Sequence, residues 1–194
     1  MRNNKQIRSL ATEFKTREAD GGKIIEGYFA VFNKQTELWP GAYEEIAPEA
    51  FDNTLSDDVR ALINHDTTLV LGRTKANTLE LKVDNFGLWG SIKINDKDTD
   101  ANNLYERVLR GDVDQCSFGF EILKEETDWK DDGTVKWVIK EVKLYEVSPC
   151  TFPAYEQTGI SARKAEVEQH KERQLEIKKK ELRERIKDVK TIDA

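Results

Sequence analysis

Three side chains, far apart in this chain, are of the kinds that together turn a weak nucleophile into a strong one. Ser117 lies in "GDVDQCSFGF", His65 in "ALINHDTTLVLG" and Glu146 in "VKLYEVSPC". A hydroxyl attacks a carbonyl once a base takes its proton. Imidazole titrates near neutral pH, and a third group can fix its tautomer and stabilise its cation. Serine, histidine and carboxylate are thus the parts of a nucleophilic hydrolase. Each also has a plainer reading: a structural histidine between apolar runs, a solvent-facing serine on an edge strand, a carboxylate in a salt bridge to a lysine or arginine. Spacing alone does not choose, because such a trio need not be adjacent in sequence. Cys116 and Cys150 offer a rival nucleophile, but each sits in an apolar run and reads as a small buried hydrophobe. They lack zinc spacing and are too few for a disulfide framework.

The elements around these residues decide where they point. On a strand at "QCSFGFEIL", Cys116, Phe118, Phe120 and Ile122 face one way and Gln115, Ser117, Gly119 and Glu121 the other. Ser117 then leaves the core face, and Gly119 clears room for a substrate backbone. Strict alternation puts Val142, Leu144, Glu146 and Ser148 on one face, where a carboxylate in an apolar stripe needs a partner. His65 falls between strand candidates at 59–64 and 68–72.

Elsewhere "KIIEGYFAVFN" reads as a strand and "ELWPGAYEEIAP" as irregular. Pro48 in a first turn, with Phe51, Leu55 and Val59 four apart, predicts a helix. "TLELKVD" and "GLWGSIKIN" form a hairpin about "DNFG", and a second hairpin turns at Asp132–Gly133. A helix over 99–110 is capped by Thr99 or Asp100 and ended by Gly111. Pro153 stops the strand "EVKLYEVSPCTF". From about residue 161 the chain is mostly charged and free of Gly and Pro, with Leu175, Leu182 and Val189 seven apart and Ile186 in the same seam. This is a solvated helix or a docking or coiled-coil segment. His170, within it, reads as a surface residue. The expected class is α+β, mainly β with a few helices, with a domain over 1–160 and a helical tail over 161–194.

With a net charge of −6, a basic face for nucleic acid is not expected. No apolar run reaches membrane-spanning length, and the first twenty residues lack a secretory h-region, so an intracellular address is the expectation. No phosphate loop or metal-ligand cluster stands out, so no cofactor or metal is expected.

Taken in order, "GYFAVFN", "EEIAPEAF", "INHD", "LGRT", "DNFGLWG", "LRGDVDQCSFGF" and "LYEVSPCTFPAY" resemble the prohead (capsid maturation) proteases of tailed bacteriophages, a family similar in fold to herpesvirus assemblin. The resemblance runs from about residue 24 to 156. It implies an assemblin-like antiparallel β-barrel core followed by the charged C-terminal helix, and a serine endopeptidase activity. The family's histidine in "NHD" falls at His65 and its nucleophile in "SFGF" at Ser117. Assemblin-like enzymes use a second histidine as third member, but the only other one here is His170 in the tail. Glu146, in the "EVS" motif, is the better candidate, and Asp66 a poor one because strand neighbours point opposite ways. "PEAF" stands where "PGAF" is common in the family, a change that alters a turn.

The implied mechanism has His65 deprotonate Ser117, which forms an acyl-enzyme that water releases. Backbone amides near Ser117 or around Gly72–Arg73, with a water held by Arg73, are oxyanion candidates. The implied substrates are the scaffold and the major capsid protein's scaffolding segment, cut inside the prohead in the host cytoplasm, with self-cleavage and a homodimer or higher oligomer. A catalytically silent capsid or scaffold assembly protein of the same fold is the alternative.

Overall fold

Period-two alternation dominates the first 150 residues, and strands follow from it. The computed structural model describes residues 5–11, 14–19, 22–152 and 157–192. Among these, the strands are β1 (Gln6–Ala11), β2 (Lys15–Ala19), β3 (Gly22–Val31), β4 (Thr36–Trp39), β5 (Ala42–Ile46), β6 (Arg60–Ile63), β7 (Asp66–Arg73), β8 (Leu79–Val83) and β9 (Gly87–Lys93). Helix α1 (Thr99–Arg110), the long strands β10 (Gln115–Trp129) and β11 (Val135–Cys150), and helix α2 (Gln157–Ile192) complete the chain. It divides into two compact units, Met1–Tyr155 and Glu156–Ala194.

Two sheets make the first unit. One is antiparallel, in the order β2-β3-β9-β8. The other has seven strands and is mixed: its spine runs β1-β10-β11-β5-β4, and the β6–β7 hairpin joins it through β6 on β11. β5 and β6 both run parallel to β11, which corrects the expected antiparallel barrel. The reason is length. At 16 residues, β11 outruns its neighbours, so β5 docks along Val135–Ile139 and β6 at Glu146–Val147, two short strands sharing one edge. Among the described residues the strands do not close into a barrel.

The core contains Ile25, Phe29, Phe51, Leu88, Ile92, Phe118, Phe120 and Val147, with the buried face of α1 (Ala101, Leu104, Tyr105, Val108) packed into it. The cap of α1 is Asp98 rather than the expected Thr99 or Asp100, because its carboxylate accepts from the amides of Asp100 and Ala101. Gly111 ends the helix with φ +81°, as its lack of a side chain allows.

The helix predicted from Phe51, Leu55 and Val59 is not formed. A single 3₁₀ turn at Pro48–Phe51 gives way to successive turns. There the Thr54 hydroxyl donates to Asp57 and accepts from the Leu144 amide, an alternative to helical bonding that short polar side chains provide. The two strands expected around Asp132–Gly133 are the arms of one long hairpin that also contains Ser117 and Glu146. Within α2, Leu175, Ile177 and Leu182 are exposed. Pro153 and the side chains of Ile186 and Val189 lie outside the described residues. Among the described residues, no helix is long and apolar enough to cross a membrane.

Candidate active site

The site is built on the β10–β11 hairpin. Ser117 pairs with Ser148 across the ladder, and Gly119 pairs with Glu146. Residues directly opposite share a face, so these four look the same way, while Phe118 and Val147 face the core. The expectation that Leu144 and Glu146 share a face needs correction. Gly119 faces Glu146 but Phe120 faces Leu144, which leaves Tyr145 as an extra residue, a β-bulge. The bulge reverses the phase. Leu144 and Val142 stay with the core, and Glu146 and Ser148 turn to the Ser117 side.

His65 arrives on a separate device. Ile63 pairs with Asp66, so Asn64 and His65 form a two-residue hairpin turn, and both have positive φ (+49° and +63°). Such turns match the right-handed twist of their strands but require left-handed residues, which Asn tolerates and His adopts less readily. The turn is tied to the end of β11. The Asn64 amide donates to the Pro149 carbonyl, and the Asn64 side-chain oxygen accepts from the Thr151 amide at 2.9 Å. These bonds set the imidazole over β11, where Nδ1 lies 2.8 Å from Glu146 Oε1.

Glu146 is nearly enclosed, its side chain 3% exposed. Burial is the largest influence on its carboxyl and opposes ionisation. The hydrogen bond and charge of His65, the Ser148 hydroxyl donating to Oε2 at 2.7 Å and the ammonium of Lys5 at 3.3 Å together outweigh it, so its pKa falls below the usual value. An ionised carboxylate only accepts, so Nδ1 of His65 carries a proton and donates it. In the neutral ring Nε2 then holds the lone pair. That nitrogen is buried and has no hydrogen-bond partner among the described residues.

Ser117 is 0% exposed, and β10 is an interior strand, since β1 covers its other edge. The hydroxyl donates to the Arg8 carbonyl of β1 at 2.7 Å. The space at Gly119 is filled from within the chain: a Cβ there would stand 2.2 Å from Glu146 Oε1 and 2.4 Å from Lys5 Cε. Arg73 is engaged elsewhere. Its guanidinium grips Asp58 with two 2.6 Å bonds, and that grip, with Arg60 and Lys75 nearby, holds the Asp58 carboxyl down at about 2. Asp66 accepts from the amide and hydroxyl of Thr68. Cys116 points into the core with its thiol toward the Tyr28 carbonyl, and burial, reinforced by the Glu146 charge, pushes the Cys150 thiol up to about 11.

Sequence reasoning missed Lys5, Arg8 and the role of Ser148. Ser148 was in phase with Glu146 and could have been found as its partner. Lys5 and Arg8 carry no local signal, because only the pairing of β1 with β10 brings them to the site.

Comparisons with known proteins identify the family. Residues 11–173 match the family model described as caudovirus prohead serine protease. The prohead protease of Enterobacteria phage HK97 is 31% identical over 159 residues, covering 79% of this chain. This chain spans 66% of that protein's length. Among solved structures, the capsid assembly protease of bacteriophage T4 aligns over 78% of this chain and 100% of its own, with a TM-score of 0.48 and 12% identity. On the extent of the family match, this chain belongs to the caudovirus prohead serine protease family.

Proposed function

We propose that the chain is a serine endopeptidase of phage capsid maturation, with Ser117 as nucleophile, His65 as general base and Glu146 as the group that orients the base. One observation carries this reading. The buried, ionised Glu146 holds Nδ1 of His65 at 2.8 Å and leaves Nε2 as a buried lone pair on the face of the sheet that Ser117 shares. In the reaction Nε2 takes the Ser117 proton as Oγ attacks a peptide carbonyl. The imidazolium is stabilised by Glu146 and returns the proton to the leaving amine. A water then enters, gives its proton to Nε2, and releases the acyl group. Ser148 holds the second carboxylate oxygen and so keeps the first aimed at the ring.

Family membership supports substrates inside the prohead: the scaffold and the scaffolding segment of the major capsid protein, with self-cleavage. Residues 1–160 act as the protease domain, and the tail from 161 to 194 serves as a docking handle or a segment trimmed by the enzyme itself. The working form is a homodimer or higher oligomer.

The test is a fluorophosphonate probe on wild type and Ser117→Ala, with intact mass of both after expression. Labelling at Ser117 and tail-trimmed fragments from wild type alone are expected. Absence of labelling, with equal trimming in both, would refute the reading and favour a silent assembly protein.

A further inference from the structure

The hydroxyl of Ser117 is bonded to the chain's own backbone. β1 runs antiparallel to β10 with Ser9 opposite Ser117 and Arg8 opposite Phe118, so the peptide unit beside the hydroxyl is the one joining Arg8 to Ser9. An extended segment added to a sheet edge is a recurring way of binding peptides, with alternate side chains entering pockets. The Arg8 side chain is held against Glu44 and Phe120. Nη2 lies 2.8 Å from Glu44 Oε2, Nε bonds Oε1 of the same carboxylate, and the guanidinium stands 5.7 Å from the centre of the Phe120 ring. Glu44 is buried on β5. The family match begins at residue 11, so the segment that carries Lys5 and Arg8 lies outside it.

We propose that β1 lies where a substrate strand binds, that the Arg8–Ser9 bond is a cleavage site of the chain itself, and that Glu44 selects a basic side chain on the amino side of the bond cut. This rests on Ser117 and His65 acting as nucleophile and base. This state is dormant, because the hydroxyl proton is given to the Arg8 carbonyl oxygen and Nε2 of His65 accepts no hydrogen bond among the described residues. Turning the hydroxyl toward Nε2 starts the reaction. Oγ bonds to the Arg8 carbonyl carbon as its proton moves to Nε2. The bond to the Ser9 nitrogen breaks as that proton passes to the new amine. Water then frees residues 1–8 with a carboxylate at Arg8. The departing segment takes Lys5 with it, which removes one of the three groups holding the Glu146 carboxylate among the described residues and vacates the strand position for other chains. A bidentate guanidinium–carboxylate pair removed from water is geometrically selective. A substrate lacking the cation takes two guanidinium bonds away from the buried Glu44, so discrimination of about tenfold or more is expected.

The experiment uses the full chain, wild type beside Ser117→Ala. Wild type is incubated and weighed intact, and fluorogenic peptides with Arg, Lys, Ala or Glu before the scissile bond are offered in trans. The expected results are loss of residues 1–8 from wild type but not from Ser117→Ala, and kcat/KM for Arg and Lys peptides at least about tenfold above Ala and Glu. Glu44→Gln should narrow that ratio. The swapped pair Arg8→Glu with Glu44→Arg, which keeps a buried ion pair if the single change fails to fold, should favour Glu peptides. If the fluorophosphonate labels Ser117 while all four peptides are cut within about threefold, or residues 1–8 stay attached, this inference falls and the peptidase reading stands. Absence of both labelling and peptide cleavage removes both.

Discussion

Gly119→Ala tests the geometry of the site most directly, because the added atom has a calculable effect. Its Cβ would sit 2.2 Å from Glu146 Oε1, where ordinary contact begins at 3.4 Å, so the carboxylate must retreat by about 1.2 Å. Lys5, the other close neighbour, presents a flexible arm and can swing aside. The carboxylate is less free, since His65, Ser148 and Lys5 all hold it. A retreat of that size along the His65 contact stretches 2.8 Å to about 4 Å, which is no longer a hydrogen bond. Misplacing a catalytic group by an ångström lowers rates about 10²-fold, and losing the orienting carboxylate lowers them about 10⁴-fold. At 1.36 kcal/mol per decade, the loss in kcat/KM lies between about 3 and 5 kcal/mol. Overpacking removes about 1–3 kcal/mol of stability from a typical margin of about 5–15, so the variant stays folded. Peptide hydrolysis and the rate of fluorophosphonate labelling are the assays, with circular dichroism to confirm folding. A folded Gly119→Ala enzyme within about threefold of wild type would show that the contact between Glu146 and His65 does not drive turnover.

Other outcomes follow from the same contacts. Glu146→Gln should lower kcat/KM by up to about 10⁴-fold, because an amide can hold the wrong imidazole tautomer. Since the folded Glu146 pKa is depressed, its stabilising contribution is present above the ordinary carboxylate range and is lost as pH falls through the folded value. Urea midpoints of wild type and Glu146→Gln should therefore converge as pH falls below the ordinary carboxylate range. Asn64→Ala forces a left-handed conformation on alanine and removes the bond to the Thr151 amide, so unfolding free energy should drop by about 1–2 kcal/mol with a larger proportional loss of activity. A thiol reagent at pH 8 should leave native Cys116 and Cys150 unmodified and activity intact, because the first is buried in the core and the second has only about a thousandth of its thiol ionised. Rapid inactivation with one thiol modified would revive the cysteine reading.

Much of this site can be read along the chain, and the remainder depends on pairing. The alternation through "QCSFGFEIL" places Ser117 opposite Phe118, and that assignment needs only one strand. The helix over Thr99–Arg110 and the turns at Asp84 and Asp132 follow from local signals that the structure reproduces. The side of β11 that Glu146 faces does not follow from its own alternation, because the bulge at Tyr145 exists only relative to β10. β1 is illegible for the same reason. "QIRSLA" has a weak pattern, and its strand is completed by the open edge of β10. Substrate approach at Gly119 was a reasonable reading of a missing side chain, but the carboxylate of the facing strand occupies that room. The helix predicted at Phe51–Val59 had the right apolar spacing and no account of the Thr54 contacts that compete with it.

The extra residue at Tyr145 has an evolutionary consequence. In most of β11 a substitution exchanges one side chain for another, but here the number of positions between Val142 and Glu146 is itself the message. Regularising the strand without shortening it would swing the acid into hydrocarbon and strand the imidazole without its anchor, whereas deleting Tyr145 itself joins Glu146 directly to Leu144 and keeps the acid on the Ser117 side. Variants of this chain that keep their chemistry are therefore expected either to keep the extra residue together with its bulge or to lack both.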